Sequence, residues 1–245
     1  MRITNEQSGT NVFEIADGIF RISTPIQPSK ELPLGFTFNQ FLIVDEQPLL
    51  FHTGPRRLFP LVKQAIASVI AIEKLRYIGF SHVEADECGA LSQLLELAPS
   101  AVPLCSQIAA MVSVGDMVDR APRAMADGET LSLGKHTLRW LATPHLPHGW
   151  DAGLLMDLHA ETLLCGDLFT QPGADCPAMT EADILGLSES MRAAMEYYSR
   201  APESRALFAK LADQAPTTLA CMHGSAWRGD GAALIRALAD RVAPV

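Results

Sequence analysis

Residues 79–90 read Gly-Phe-Ser-His82-Val-Glu84-Ala-Asp86-Glu87-Cys88-Gly89-Ala, with an imidazole and two carboxylates at alternate positions. The apolar run at 75–81 predicts a strand before them, and the leucines of 91–97 predict a helix after them. The three side chains therefore follow the carboxyl end of a strand, where open α/β sheets keep their binding sites. Alternate residues of extended backbone share a side, so His82, Glu84 and Asp86 are expected to point into one space, while Gly89 permits a tight turn.

Three later stretches place further metal-ligand residue types after strand-like runs. They are Thr143-Pro-His145-Leu-Pro-His148-Gly-Trp-Asp151, Cys165-Gly-Asp167-Leu-Phe and Cys221-Met-His223-Gly-Ser-Ala-Trp. A solvated acidic turn is the alternative interpretation of the first stretch taken alone. Repetition of the same arrangement along the chain favours a metal site instead.

The ligand order His-x-Glu-x-Asp, His, Asp, His resembles the metallo-β-lactamase superfamily. It is similar in particular to the flavodiiron-like branch of oxygen-binding diiron proteins, in which a glutamate stands where zinc hydrolases have a histidine. The resemblance spans nearly the whole chain and includes Phe38-Asn-Gln-Phe-Leu-Ile-Val-Asp, Leu-Leu-Phe-His52-Thr-Gly-Pro and Tyr197-Tyr198 in a late helix. It implies an α/β fold, the metallo-β-lactamase αββα sandwich, as a single domain over residues 1–245.

The resemblance also implies a dinuclear site with six ligands. In this assignment one metal is bound by His82, Glu84 and His148, the other is bound by Asp86 and His223, and the carboxylate of Asp167 bridges the two. Imidazole and carboxylate donors suit iron, manganese or zinc.

Two positions leave alternatives open. His145 competes with His148, but Asp151 follows His148 by three residues, as in the family's His-x-x-Asp pattern, so His145 is expected at most to orient a ligand. Glu87 stands where both zinc hydrolases and most flavodiiron proteins have a histidine. Glu87 is then a further carboxylate ligand, a neighbour of a water-filled position, or a solvated acid at the start of a helix.

Other conspicuous side chains receive weaker assignments. Trp150 and Trp227 each follow a predicted ligand and are candidates for an apolar wall that limits water access. Cys88 is expected to pack in the interior. The remaining histidines lack a partner motif and are assigned no function, namely His52, His136 and His159.

Composition and charge indicate the cellular compartment and exclude some classes of partner. The formal charge of −9 without a basic block argues against nucleic acid or an anionic membrane as a partner. The amino terminus lacks the apolar core of a signal peptide, and no apolar run approaches a membrane span, so we expect a cytoplasmic protein. The five cysteines form no Cys-x-x-Cys pair, which favours reduced thiols over a disulfide framework.

The apolar pattern predicts two halves in which strands precede helices. In the first half we expect antiparallel strands at 12–15, 19–22, 38–44 and 49–51, and helices at 57–70, 91–97 and 106–114. In the second half we expect strands at 131–133, 138–141, 154–158, 162–165 and 217–221, and helices at 181–199, 202–213 and 231–241. Residues 171–180 are rich in turn formers and are predicted to form a surface loop near Asp167.

Glu84 indicates which metal the site prefers and so which reaction it supports. A carboxylate in place of an imidazole adds a negative charge and a hard oxygen donor, which favours iron and its ferric state. With Asp86 and Asp167, the site carries three formal negative charges and suits two ferric ions bridged by oxide or hydroxide, although zinc or manganese would also fit. A diferrous form with open positions would bind dioxygen or nitric oxide.

The expected activity is that of a diiron oxidoreductase that binds or reduces dioxygen or nitric oxide. The sequence has no Gly-x-Gly-x-x-Gly loop, so we expect no flavin in this chain. Electrons would come from a separate donor protein, or the chain would act as an oxygen sensor; a homodimer is compatible with either role. The second hypothesis is a dinuclear hydrolase of esters, thioesters or phosphoesters, because two metals also activate a bound water.

Overall fold

Two β-sheets form the centre of the structure, a computed structural model that describes residues 1–243. The first sheet contains eight strands in chain order: β1 (Arg2–Asn5), β2 (Thr10–Ala16), β3 (Ile19–Ile26), β4 (Phe36–Ile43), β5 (Leu49–Phe51), β6 (Tyr77–Gly79), β7 (Val102–Ser106) and β8 (Arg123–Met125). Strands β1 to β5 pair antiparallel, which confirms the predicted antiparallel opening. Strands β5 to β8 pair parallel.

The second sheet has seven strands and a mixed topology. In spatial order they are β13 (Met179–Thr180), β15 (Ala226–Arg228), β14 (Thr218–Ala220), β12 (Thr162–Leu164), β11 (Gly153–Asp157), β10 (Thr137–Ala142) and β9 (Thr130–Ser132). β12 is parallel to β14, and β11 lies antiparallel between β10 and β12. Strands β10, β12 and β14 therefore run in one direction and end at the same edge of the sheet.

Helices follow the strands in both halves. They are α1 (Phe59–Ala67), α2 (Ala85–Cys88), α3 (Leu91–Leu97), α4 (Gln107–Ala109), α5 (Gly115–Met117), α6 (Leu185–Met195), α7 (Ser204–Ala212) and α8 (Gly231–Val242). A 3₁₀ turn, Arg56–Leu58, leads into α1, and a second one covers Ile72–Lys74. A π-helical turn, Ala110–Val114, joins α4 to α5, so the helix predicted at 106–114 continues to Met117.

The alternation of side chains along the strands produces four layers. In β4, Phe41 and Ile43 face the second sheet, whereas Leu42 faces the first-half helices. In β11, Leu155 faces the first sheet, whereas Leu154 packs in the cluster that contains residues of α7 and α8. Helices thus cover the outer face of each sheet, which is the predicted αββα arrangement. Between residues 1 and 243, no helix has the length and apolar character needed to cross a bilayer.

The helix predicted at 181–199 is shorter than expected. It begins at Leu185, and it ends at Met195 because Glu196 adopts a left-handed conformation with φ of 49°. The chain then turns back toward the interior. Tyr197 and Tyr198 consequently lie after the helix rather than within it, which corrects the prediction for this pair.

The predicted surface loop at 171–180 is partly wrong. Gln171 is buried, and its amide donates to the carbonyl of Ser225 at 3.1 Å while its oxygen accepts from the Ser225 amide at 3.2 Å. Met179 and Thr180 form a short edge strand beside β15. This strand, like β1 and β8, lacks a run of apolar residues, so the sequence pattern missed it.

Candidate metal centre

The first predicted ligand loop leaves β6 and enters α2. Glu84 is extended, with φ of −144° and ψ of 162°, and is the N-cap of α2, so Asp86 lies in the first helical turn. The prediction that all three residues are extended is therefore wrong for Asp86. Gly89 is required for close approach rather than for an unusual φ, because a Cβ there would lie 2.2 Å from the carbonyl oxygen of Ala85.

A chain of hydrogen bonds orients His82 from behind. The imidazole Nδ1 lies 3.0 Å from Ser81 Oγ, which lies 3.1 Å from Nε2 of His52. If Nε2 of His82 binds a metal, Nδ1 carries the proton and donates to Ser81, which then donates to His52. His52 is buried, and desolvation lowers its pKa to about 3, so it stays neutral and accepts this hydrogen bond. The sequence assigned His52 no function, because its partner Ser81 is 29 residues away.

His148 reaches the same space from the loop after β10. Its Nδ1 donates to the carbonyl of Tyr197 at 3.0 Å, and its Nε2 lies 3.0 Å from both Nε2 of His82 and Oε2 of Glu84. Asp151 is buried, and Oδ2 accepts from the amide of Val83 at 2.9 Å, which ties this loop to the first one.

The structure separates the two histidines of this loop. His145 is exposed and has a φ of 64°, and its backbone amide donates to the carbonyl of Gly149. Within residues 1–243, no hydrogen bond joins its side chain to a predicted ligand. The geometry therefore favours His148 over His145.

Asp167 lies between two groups of donors. It follows β12, and its side chain is buried. Oδ2 lies 3.4 Å from Nε2 of His148 and 3.7 Å from Nε2 of His82, whereas Oδ1 lies 3.2 Å from Nε2 of His223. The two oxygens thus face different histidines, as a bridging carboxylate requires.

His223 is held mainly by the first sheet. Its Nδ1 donates to the carbonyl of Thr37 at 2.8 Å, and Phe36 stacks on the ring at a centroid distance of 4.3 Å. Its Nε2 lies 3.4 Å from Oδ2 of Asp86. Asn39 donates to the carbonyls of Cys221 and Gly224, which fixes the loop on both sides of the ring.

The donor set fits metal ions. All three imidazoles use Nδ1 outside the cluster, so their Nε2 atoms face the carboxylates. Ligand atoms of four residues lie within 4.8 Å of one another: His82, Glu84, His148 and Asp167. Nitrogen lone pairs that face each other at 3.0 Å repel unless a proton or a metal cation lies between them, and the surrounding carboxylates suit a metal ion.

The histidines keep the carboxylates ionised. Hydrogen bonds from His148 and His82 lower the pKa of Glu84 to about 2. Burial alone would raise the pKa of Asp167, but the contact with His223 lowers it below its usual value. Burial opposes the charged form of His223, yet its contacts with Asp167 and Asp86 raise its pKa to about 10. Metal binding must therefore displace a proton from His223 at neutral pH.

Glu87 is not the solvated helix-start acid that the sequence allowed. Its side chain is completely buried, and within residues 1–243 neither carboxylate oxygen has a hydrogen-bond partner. Burial, followed by the charges of Asp167 and Asp86 and a close side-chain contact with Asp86, raises the pKa of Glu87 well above its usual value. Cys88 is buried, as predicted, and its thiol donates to the carbonyl of Glu84.

A cavity of about 120 Å³ opens onto the predicted ligands. Its apolar wall is formed by Phe36, Met195 and Tyr197 rather than by the two tryptophans. Trp150 is 55% exposed, and Trp227 donates its indole N–H to the carbonyl of Ala182. The prediction of a tryptophan wall is therefore wrong. Adjacency in sequence could not reveal which rings turn toward the site, because Phe36 arrives from β4 and Tyr197 from the segment after α6.

Comparison with known proteins identifies the family. A family profile described as "ODP family beta lactamase" matches residues 36–224, which include all six predicted ligands. The chain belongs to this family. The predicted resemblance to the flavodiiron-like branch is confirmed, because the relatives of this ODP-family chain include a rubredoxin-oxygen oxidoreductase and a nitric oxide reductase.

Both relatives are longer than this ODP-family chain. The rubredoxin-oxygen oxidoreductase of Megalodesulfovibrio gigas is 31% identical over 206 residues, which cover 80% of this chain and 50% of that protein. The nitric oxide reductase of Moorella thermoacetica is 31% identical over 218 residues, which cover 84% of this chain and 53% of that protein. The chain thus spans about half the length of these relatives.

Solved structures confirm the predicted fold. The rubredoxin oxygen:oxidoreductase of Desulfovibrio gigas aligns with a TM-score of 0.78 at 26% identity, over 92% of this chain and 60% of that one. A fragment of diflavin flavoprotein A 5 from Nostoc sp. aligns with a TM-score of 0.80 at 20% identity, over 94% of each chain. The ODP-family chain therefore has the metallo-β-lactamase αββα sandwich.

Proposed function

We propose that this chain binds two iron ions and acts as an oxidoreductase on dioxygen or nitric oxide. The observation that carries the proposal is the position of Asp167, whose two oxygens face separate histidines at 3.2 and 3.4 Å. A carboxylate in this position can hold two cations at the spacing of about 3.5–4 Å that is found in dinuclear sites.

The ligand set supports iron in preference to zinc. We assign His82, Glu84 and His148 to the first metal, Asp86 and His223 to the second, and Asp167 to both. Glu84 lies 3.0 Å from Nε2 of His82 and of His148, so it supplies a hard, charged oxygen to the first metal. Such oxygen donors stabilise the ferric state more than a third imidazole would.

The shape of the cavity supports a small substrate. Pockets that bind drug-sized ligands commonly have volumes of about 300–1,000 Å³. The cavity at this site has about 120 Å³, and Phe36, Met195 and Tyr197 narrow it. Dioxygen and nitric oxide fit such a space more readily than an ester or thioester with its attached groups.

The residues around the metal ligands have two roles. Ser81, Thr37 and the carbonyl of Tyr197 fix the three imidazoles so that each Nε2 faces the metals. Phe36, Met195 and Tyr197 form the apolar part of the cavity wall. When bound, the two irons supply the electrons and the open positions for the gas.

We infer that the electrons come from a separate protein and that the chain works in the cytoplasm. The name of the Megalodesulfovibrio gigas relative, rubredoxin-oxygen oxidoreductase, supports a small redox protein as the donor. We further propose that residues 1–245 form one domain; residues 244 and 245 lie outside the part that the structure describes. A homodimer would be compatible with this role.

Reaction of the reduced protein with gas tests the proposal. We expect iron-loaded protein, reduced anaerobically with a chemical reductant, to change its iron spectrum within one mixing of dioxygen or nitric oxide. Two ferrous ions hold only two electrons, so sustained consumption should require an added donor. The measurement is stopped-flow absorption in the near ultraviolet with parallel gas-electrode traces, and zinc-loaded protein is the control.

Two outcomes would contradict this proposal. If the reduced iron protein ignores both gases and the isolated protein rapidly cleaves a panel of esters or thioesters, the hydrolase hypothesis replaces it. If the gas reacts once but no donor sustains turnover, the chain is a sensor rather than a reductase.

A further inference from the structure

Glu87 lies beside the predicted ligands but is held by a separate part of the fold. Its carbonyl accepts from the amide of Thr53 at 2.7 Å, and Thr53 Oγ1 accepts from the amide of Ala90 at 3.0 Å. The short helix α2 is thereby pinned at both sides of Gly89, which itself has no room for a side chain. The backbone of Glu87 is therefore fixed, and its side chain is completely buried.

The side chain of Glu87 points into the cluster. One carboxylate oxygen lies within 4.8 Å of ligand atoms of both Glu84 and Asp86. The residue has no exposed surface, and within the described residues both oxygens lack a hydrogen-bond partner. A buried, unpaired carboxyl group costs free energy in either charge state, unless a cation or a donor satisfies it.

Charge and donor counts indicate which of the two metal positions the Glu87 carboxylate would complete. With Glu87 the cluster has four carboxylates, and two divalent metals bring four positive charges. Without Glu87, the second metal has one imidazole, one terminal carboxylate and the shared Asp167. Adding Glu87 gives that metal as many protein donors as the first one has.

We propose that Glu87 is a ligand of the second metal, the one assigned to Asp86 and His223. This inference rests on the proposed dinuclear site. The second metal then has one nitrogen and three carboxylate donors, which is a harder set than the family pattern with histidine at this position. Such a set favours iron or manganese over zinc at the second site.

The test compares Glu87→Met, Glu87→His and the exposed Glu96→Gln as the control. Each protein is stripped of metal, reloaded anaerobically with ferrous iron, desalted and analysed for iron per chain. We expect two irons in the unaltered protein and in Glu96→Gln, and one in Glu87→Met. The loss of affinity should exceed the roughly 10–100-fold cost of removing an outer partner of a ligand.

Two further measurements separate a ligand from a structural role. The melting temperature of metal-free Glu87→Met should equal or exceed that of the unaltered protein, because an apolar side chain of similar size replaces an unpaired buried carboxyl group. Glu87→His should regain the second metal through its imidazole and take more zinc from an equimolar iron and zinc mixture.

The outcomes are distinguishable. Two irons in the unaltered protein and two in Glu87→Met would overturn the assignment of Glu87 alone. A lower melting temperature of metal-free Glu87→Met, without rescue of the second metal by Glu87→His, would make the carboxyl group structural and also overturn it. Fewer than two irons in the unaltered protein would overturn the dinuclear site itself.

Discussion

Asp167→Ala is expected to remove both metals from the protein. Oδ2 of Asp167 faces Nε2 of His148 and His82, whereas Oδ1 faces Nε2 of His223, so each metal loses a ligand when this one side chain is truncated. Removal of an outer partner costs about 10–100-fold in metal affinity, and loss of a shared ligand should cost more at both positions. Elemental analysis after desalting measures the effect, and the iron content should fall close to zero.

Asp157→Ala is the matched control. Asp157 is also a buried aspartate, and its Oδ2 lies 2.5 Å from Nδ1 of His136, away from the predicted ligands. Breaking this buried pair should destabilise the fold by about 3–5 kcal/mol while the folded protein keeps two irons. Retention of both irons by Asp167→Ala would show that the bridge is assigned to the wrong residue.

His148→Ala and His145→Ala should differ sharply in metal content. His148 Nε2 lies 3.0 Å from Glu84 Oε2 and from His82 Nε2, so its removal should release the first metal and weaken the second through the bridge. His145 is exposed, so His145→Ala should keep both metals. Iron per chain and the optical spectrum measure the difference.

Backbone conformation complicates only the His145 variant. The residue has a φ of 64°, a conformation that histidine adopts more readily than alanine, so His145→Ala should be slightly less stable without a change in metal content. His145→Asn is the control, because asparagine tolerates the left-handed conformation. Loss of metal from His145→Ala with retention in His148→Ala would transfer the ligand to His145.

The convergence of the four ligand loops could be predicted because the ends of the strands before them can be recognised in the sequence. The apolar runs before the histidine and aspartate ligands correspond to β6, β10, β12 and β14. The loops after these strands bring together His82, His148, Asp167 and His223. Short apolar runs followed by polar residues carry this information. The αββα architecture followed from side-chain alternation, since successive residues such as Leu154 and Leu155 pack on opposite faces of one strand.

What the sequence could not predict depends on contacts between distant segments. Thr37 holds His223 across 186 positions, and Tyr197 holds His148 across 49 positions. The backbone of Glu87 is bound by Thr53, a residue from a different loop. No local pattern distinguishes such a residue from a solvated acid at a helix start.

The most direct test of the dinuclear iron site is the Mössbauer spectrum of protein loaded with ⁵⁷Fe and oxidised. We predict two irons per chain and a diamagnetic ground state, because two ferric ions joined by an oxide or hydroxide bridge would be antiferromagnetically coupled. A paramagnetic spectrum of isolated ferric ions, or one iron per chain with zinc filling the remainder, would contradict it.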